Sequence, residues 1–315
     1  MLNAFYRSLG VLPAIVLLFS LADVRTANAE FIYVTLQTSV ARFDISSGNA
    51  ATIAASKATV ASGLDEAMGL VFAGDGSLYV SQFTPNTVSR ITSGSVASFA
   101  SGFTSPRGIT MSGTAGNFYV ANSNAPGSIS QVTPAGSVST FLSSGVNAPY
   151  GVAFDGSGAL YATNNASYSI TKIVGGVPST FATFNPGEGV RAVAVAANGN
   201  VFSAGNFGVN VTTQAGSTTN FASGIGFAYG LAFNSTGNLF VADYTNQTIR
   251  AYNPSGSLLY SFSTGAGTTN RPRYVAFDSP GSGFNQIVPE PSTCAMALAV
   301  LACGGFSMWR RRKRA

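Results

Sequence analysis

The sequence predicts an all-β fold, a closed six-bladed β-propeller with four strands per blade, and three observations carry that prediction. A block of about 41 residues recurs through the middle of the chain, which is the length of one propeller blade. Each block holds four short apolar runs separated by polar turns containing Gly, Asn or Ser. The repeating region is also incomplete at both ends, and the two incomplete pieces complement each other. The 36 glycines and the charged fraction of only 9% fit many strands joined by tight turns rather than solvated helices.

Before the repeats, residues 1–29 have the three parts of a secretory signal. Arg7 gives the positive start, Leu9 to Ala22 the apolar core, and Ala27-Asn28-Ala29 a small-residue cleavage site. The apolar run is broken by Pro13 and falls short of the roughly 20 residues that span a bilayer. Export with cleavage by signal peptidase after Ala29 is expected.

The best copy of the repeat runs from Tyr229 to Asn253. Aligned on Gly230, the copies begin at Gly69, Gly108, Gly151, Ala192, Gly230 and Tyr274, each opening an apolar first strand: GLVF, GITM, GVAF, AVAV, GLAF, YVAF. Second strands start at Leu78, Phe118, Leu160, Val201 and Leu239. Third strands contain Val88, Ile129, Ile170, Val209 and Ile249. Fourth strands end on Phe99, Phe141, Phe181, Phe221 and Phe262, which are expected to fill the outer space between neighbouring blades. The sixth copy stops soon after Phe277, whereas the segment from Phe31, FIYVTLQTSVARF, matches a second and third strand. The C-terminal piece should therefore give the last blade its inner strand and the N-terminal piece its other strands. Such closure removes the free edges an open stack would have to cap. The propeller is thus assigned to residues 30–287.

These residues resemble the NHL repeat, whose pattern is an apolar G-I-A-V strand, a Gly turn, L-Y-V-A-D, then N-x-R-I. The resemblance covers Phe31 to about Phe284 and is best at GLAFNSTGNLFVADYTNQTIRAYN, poorest from Ala192 to Thr212.

Residues 288–315 form a tail of three parts. Val288-Pro289-Glu290-Pro291 is followed by an apolar stretch, Ser292 to Trp309, and then by Arg310-Arg311-Arg312-Lys313-Arg314. As a helix the stretch would reach about 27 Å, enough for a thin hydrocarbon core, with the basic end cytoplasmic. The tail resembles the PEP-CTERM sorting signal of Gram-negative bacteria. That resemblance implies a transient membrane helix, processing by an exosortase near Pro289-Glu290-Pro291, and delivery to the cell envelope or extracellular polysaccharide matrix. Both cysteines, Cys294 and Cys303, would leave with it.

The net charge of +5 belongs to the ends of the chain, since between Glu30 and Ile287 nine basic residues balance nine acidic ones. A neutral domain gives no basis for nucleic-acid binding. No histidine occurs anywhere and the domain has no cysteine, so the usual triads and thiol chemistry are excluded from it. The sequence calls for no cofactor and no metal, and catalysis is not expected.

In an antiparallel hairpin the residue before the first strand lies beside the residue after the second. The first set reads Met68, Arg107, Tyr150, Arg191, Tyr229 and Arg273; the second reads Leu36, Gln82, Asn122, Asn164, Gly205 and Asp243. Guanidinium forks suit carboxylate, sulfate or phosphate groups, and aromatic rings suit sugar faces. The sharper reading is a face that binds an anionic ligand such as an acidic extracellular polysaccharide, or a surface protein, through Arg107, Tyr150, Arg191, Tyr229, Arg273, Asn122, Asn164 and Asp243. The blander reading pairs the arginines with Glu66, Glu188 or Asp243 to hold loops. An alternative of another class follows from propellers of the gluconolactonase type, hydrolases that hold a divalent metal with carboxylate and amide ligands. Glu66, Glu188 and Asp243 could supply oxygen ligands here, although the position before the first strand carries Met, Arg or Tyr.

Overall fold

The computed structural model describes residues 30–113 and 116–278. The expected export signal with Ala27 and Ala29, and the expected sorting tail with Val288, Pro289, Glu290, Pro291 and the stretch read as a helix, lie outside the described residues. Among the described residues no helix is long and apolar enough to cross a membrane.

Six four-stranded antiparallel sheets form the blades. Blade one comprises Ala67–Phe72, Leu78–Gln82, Thr87–Thr92 and Ser95–Ser101. Blade two comprises Pro106–Met111, Phe118–Asn122, Ser128–Val132 and Val138–Leu142. Blade three runs through Pro149–Phe154, Leu160–Asn164, Ser169–Val174 and Val177–Thr183. Blade four follows with Ala192–Val195, Val201–Gly205, Gly208–Thr212 and Thr218–Ala222. Blade five contains Ala228–Phe233, Leu239–Asp243, Thr248–Tyr252 and Leu258–Ser263. Blade six joins the two ends: Val275–Phe277 pairs with Phe31–Thr35, which continues to Ser39–Asp44 and Ala58–Ser62. The inner strand of each blade touches that of the next, and the sixth touches the first. The ring closes by the expected exchange of terminal strands.

Burial explains the strand patterns. Second strands are buried at every position in blades one to five, on both faces, with Gln82, Asn122, Asn164 and Asp243 as buried polar ends, whereas fourth strands are mostly exposed. Six apolar clusters form, each spanning the interface between two neighbouring blades. At the inner strands the backbones nearly touch. A Cβ on Gly108 would stand 2.6 Å from the Tyr150 carbonyl oxygen, and one on Gly230 2.7 Å from that of Arg273. This close approach is why the repeat opens on glycine.

Two details depart from the sequence reading. Phe99, Phe141, Phe181 and Phe221 are the bulged residues of their fourth strands, half-buried over the rim. Phe262 is not their equivalent. It pairs with Ile249, the place held by Ala100, Leu142, Ala182 and Ala222 elsewhere, and is buried against Phe43 of blade six at 5.1 Å. The second departure is a short helix, Ala50–Ala55, between two strands of blade six, capped by Asn49 Oδ1 and covering the fourth strand of blade five. Six residues of Ala, Thr and Ile carry no helical periodicity to read.

Burial raises the phenol pKa of Tyr33, Tyr79, Tyr119, Tyr252, Tyr260 and Tyr274, that of Tyr260 to about 12. The folded state thus favours the neutral phenols, and the stability they contribute is whole below the ordinary tyrosine value near 10. It is lost as pH rises from there towards about 12. Partial burial lowers Lys57, which opposes this in the same window, one group against six. The thermal midpoint should hold steady from about pH 8 to 9.5 and fall above about pH 10. A midpoint that rises above that pH would contradict it.

Candidate functional site

Each blade sends one loop to the same face of the ring, ahead of its first strand. In blades one, two, three and five the first strand is bulged there, so that Met68, Arg107, Tyr150 and Tyr229 lie in the irregular step of the register. The extra residue turns its side chain out of the alternation and towards the face. Just ahead of the bulge, Glu66, Ser105 and Ala148 take left-handed φ values of 46°, 54° and 47°. Their carbonyls accept the N–H of Phe83, Ser123 and Asn165.

That pairing corrects the second half of the predicted site. The second-strand residue whose N–H meets the loop ahead of each first strand is one place further along than expected: Phe83, Ser123, Asn165, Asn206 and Tyr244. Asn122, Asn164 and Asp243 are buried, and their side chains point into the blades. Asn164 Oδ1 accepts the Asn147 N–H at 2.9 Å, and its amide donates to Thr171 Oγ1 at 2.8 Å. Asn122 accepts the Thr104 N–H and donates to Ser130 Oγ, and Gln82 treats Asp65 N and Ser89 Oγ in the same way. Asp243 accepts from Arg250 Nε at 3.0 Å, from Asn246 Nδ2 at 2.7 Å and from the Asn246 N–H. These side chains are spent on tying loop to third strand, so they are not free to hold a ligand.

The arginines also divide. Arg273 is buried, its guanidinium 3.8 Å from Glu66 and 3.3 Å from Met68 Sδ. It behaves as the blander reading expected. Arg107 and Arg191 have no carboxylate within 4.0 Å among the described residues. Glu188 instead takes Asn185, and Asp243 takes Arg250. The Arg107 guanidinium lies 3.9 Å from the Tyr150 ring centroid and 4.5 Å from that of Phe83, with Nε donating to Ser123 Oγ. Arg191 lies over Phe227 at 4.9 Å and Tyr229 at 5.4 Å. Tyr229 packs on Tyr244, which carries Arg271 at 4.9 Å. Arg271, Phe83, Phe227 and Tyr244 escaped sequence reasoning; a shift of one residue at the second-strand end would have found Phe83 and Tyr244.

Tyr274 departs furthest from the repeat. At the position that is glycine in four blades, its side chain crosses the ring axis from blade six and donates to the Tyr150 carbonyl of blade three, the opposite blade, at 3.1 Å. Burial holds its phenol well above the ordinary value, partly opposed by the charges of Arg107 and Arg191. Its phenol lies within electrostatic reach of Arg107, Tyr150, Arg191 and Tyr229. Among the described residues no group of three or more His, Cys, Asp and Glu side chains comes together as a metal site.

No protein-family model matches the sequence, and no curated protein matches it. Solved structures do. One, from a nidogen/laminin complex, is 13% identical with a TM-score of 0.69, covering 80% of this chain and 99% of that one. Virginiamycin B lyase from Staphylococcus aureus is 16% identical with a TM-score of 0.57, covering 82% and 92%. A gluconolactonase from Xanthomonas campestris is likewise 16% identical at 0.57, covering 66% and 76%. At such identities the likeness concerns the six-bladed fold, which this chain shares with propellers that bind and propellers that catalyse.

Proposed function

We propose that the protein is an exported, non-catalytic binding protein of the cell envelope or extracellular matrix, and that it takes an anionic polysaccharide on the face built by Arg107 and Arg191. One observation carries the reading. Two guanidiniums on a domain of no net charge are stacked on aromatic rings with no carboxylate within 4.0 Å among the described residues, an arrangement that suits planar anions and sugar faces together. Delivery to the surface rests on the signal-like residues 1–29 and the PEP-CTERM-like tail, with signal peptidase and exosortase as transient partners.

The test is binding of the purified domain to acidic and neutral polysaccharides of matched length by calorimetry. Wild type should bind the acidic polymer, and Arg107→Ala with Arg191→Ala should weaken it at least about 100-fold, two charge-assisted contacts of about 1.5 kcal/mol or more each. Arg273→Ala should leave affinity unchanged, because that side chain holds Glu66 and Met68 beneath the face. No binding, or equal binding by the double variant, defeats the proposal. The hydrolase alternative predicts instead a stoichiometric divalent metal in the purified domain and loss of a lactone substrate.

A further inference from the structure

Blade four differs from blades one, two, three and five at the second-strand end, and the difference brings polar atoms of Asn165, Arg191 and Asn206 together around Gly189. Where blades one, two, three and five carry Gln82, Asn122, Asn164 and Asp243, blade four carries Gly205. A Cβ there would collide with the Gly189 carbonyl, so the backbone of Glu188 and Gly189 occupies the room that a side chain takes in the other blades. The Asn206 N–H bonds Glu188 O at 3.1 Å, one residue earlier than the equivalent bond in blade three, Asn165 N to Ala148 O. Gly189 is thereby drawn between two blades, at φ +44°. The point where its Cβ would stand is 3.2 Å from Asn165 Oδ1, 3.1 Å from Asn206 Nδ2 and 3.4 Å from Arg191 Nη1.

Hydrogen bonding around this cradle is incomplete. Arg191 Nη1 is held by Asn206 Oδ1 and by Gly189 O, and Asn206 Nδ2 by Gly187 O. Arg191 Nε and Asn165 Oδ1 are both buried with no hydrogen-bond partner among the described residues. An unmet buried donor or acceptor costs about 1–3 kcal/mol, and such atoms persist where a ligand completes them. Here one of the pair is a cationic donor and the other a neutral acceptor. An anion that only accepts, such as an ionised phosphate, satisfies Arg191 and leaves Asn165 unmet. A ligand that is acidic and also donates a hydroxyl close to its acidic group satisfies both.

We infer that the Asn165–Gly189–Arg191 cradle recognises a hydroxylated carboxylate, that is, a uronic-acid unit of an acidic polysaccharide. The inference rests on the proposed binding function and specifies its ligand. The carboxylate lies against the Nε edge of Arg191, with Phe227 and Tyr229 beneath the guanidinium, and a neighbouring sugar hydroxyl donates to Asn165 Oδ1. Asn165 is the specificity residue.

The experiment measures binding of the purified domain to polygalacturonate oligosaccharides and to polyphosphate of similar charge, which has no hydroxyl along its chain. Wild type should prefer the polyuronate about tenfold or more, the worth of one buried hydrogen bond at its upper end. Asn165→Ala should abolish that preference by weakening the polyuronate alone, with polyphosphate affinity kept and the thermal midpoint not lowered, since the lost oxygen has no partner among the described residues. Equal binding of the two polymers, or a preference that survives Asn165→Ala, overturns the uronate assignment while leaving the anion-binding face intact. Binding of neither polymer overturns both.

Discussion

Replacing Asp243 by alanine should destabilise the protein by about 3–5 kcal/mol, because it strands a partly buried guanidinium. Asp243 is fully buried, and its carboxylate receives Arg250 Nε, Asn246 Nδ2 and the Asn246 N–H. Comparison of blades gives the rescue. Asp243 occupies the place of Gln82, Asn122 and Asn164, and Arg250 the place of Ser89, Ser130 and Thr171. Three blades thus fill these two places with an amide and a hydroxyl, the amide also holding an N–H of the loop ahead of the first strand, and the fifth with an ion pair whose carboxylate holds the turn at Asn246 instead. Asp243→Asn combined with Arg250→Ser should therefore recover most of the loss, as read from urea denaturation of both single variants and the double. A double variant no more stable than Asp243→Ala would show that the two ties are not interchangeable.

Gly108→Val should cost about 3 kcal/mol or more, at the top of the range for overpacking, since the obstacle is backbone rather than a movable side chain. Its Cβ would stand 2.6 Å from Tyr150 O and 3.0 Å from the Gly151 Cα. Moving blade two away from blade three is resisted by the closed ring, in which every inner strand touches the next. The control is Gly158→Ala, in open space at φ +86°, where only the left-handed backbone is penalised, by about 1–2 kcal/mol. If the two cost the same in denaturant, close approach at the axis is not what selects glycine in the repeat.

The candidate site was half legible. Arg107, Tyr150, Arg191 and Tyr229 could be read because they stand at a fixed step before a recurrent glycine. Asn122, Asn164 and Asp243 were assigned to the wrong environment because a β-bulge inserts one residue into one strand only. An alignment of repeats keeps the bulge in register with itself and so hides it. The same blindness put Phe262 with the rim aromatics, although its own bulge falls at Leu259.

The sequence by itself determined the repeat, the number of blades and the exchange of terminal strands that closes them, because strand period and turn chemistry are local and recur six times. It also determined that the positive charge of the chain lies outside the domain. Only the tertiary structure decided which polar residues are spent and which are free. Arg273 and Arg107 occupy equivalent positions, yet one lies buried beside Glu66 while the other rests on Tyr150. Tyr274 crosses the axis to the opposite blade, and Gly205 lets a loop sink between its neighbours. Those outcomes depend on contacts between residues far apart in the chain, and a single repeat carries no record of what the ring brings against it.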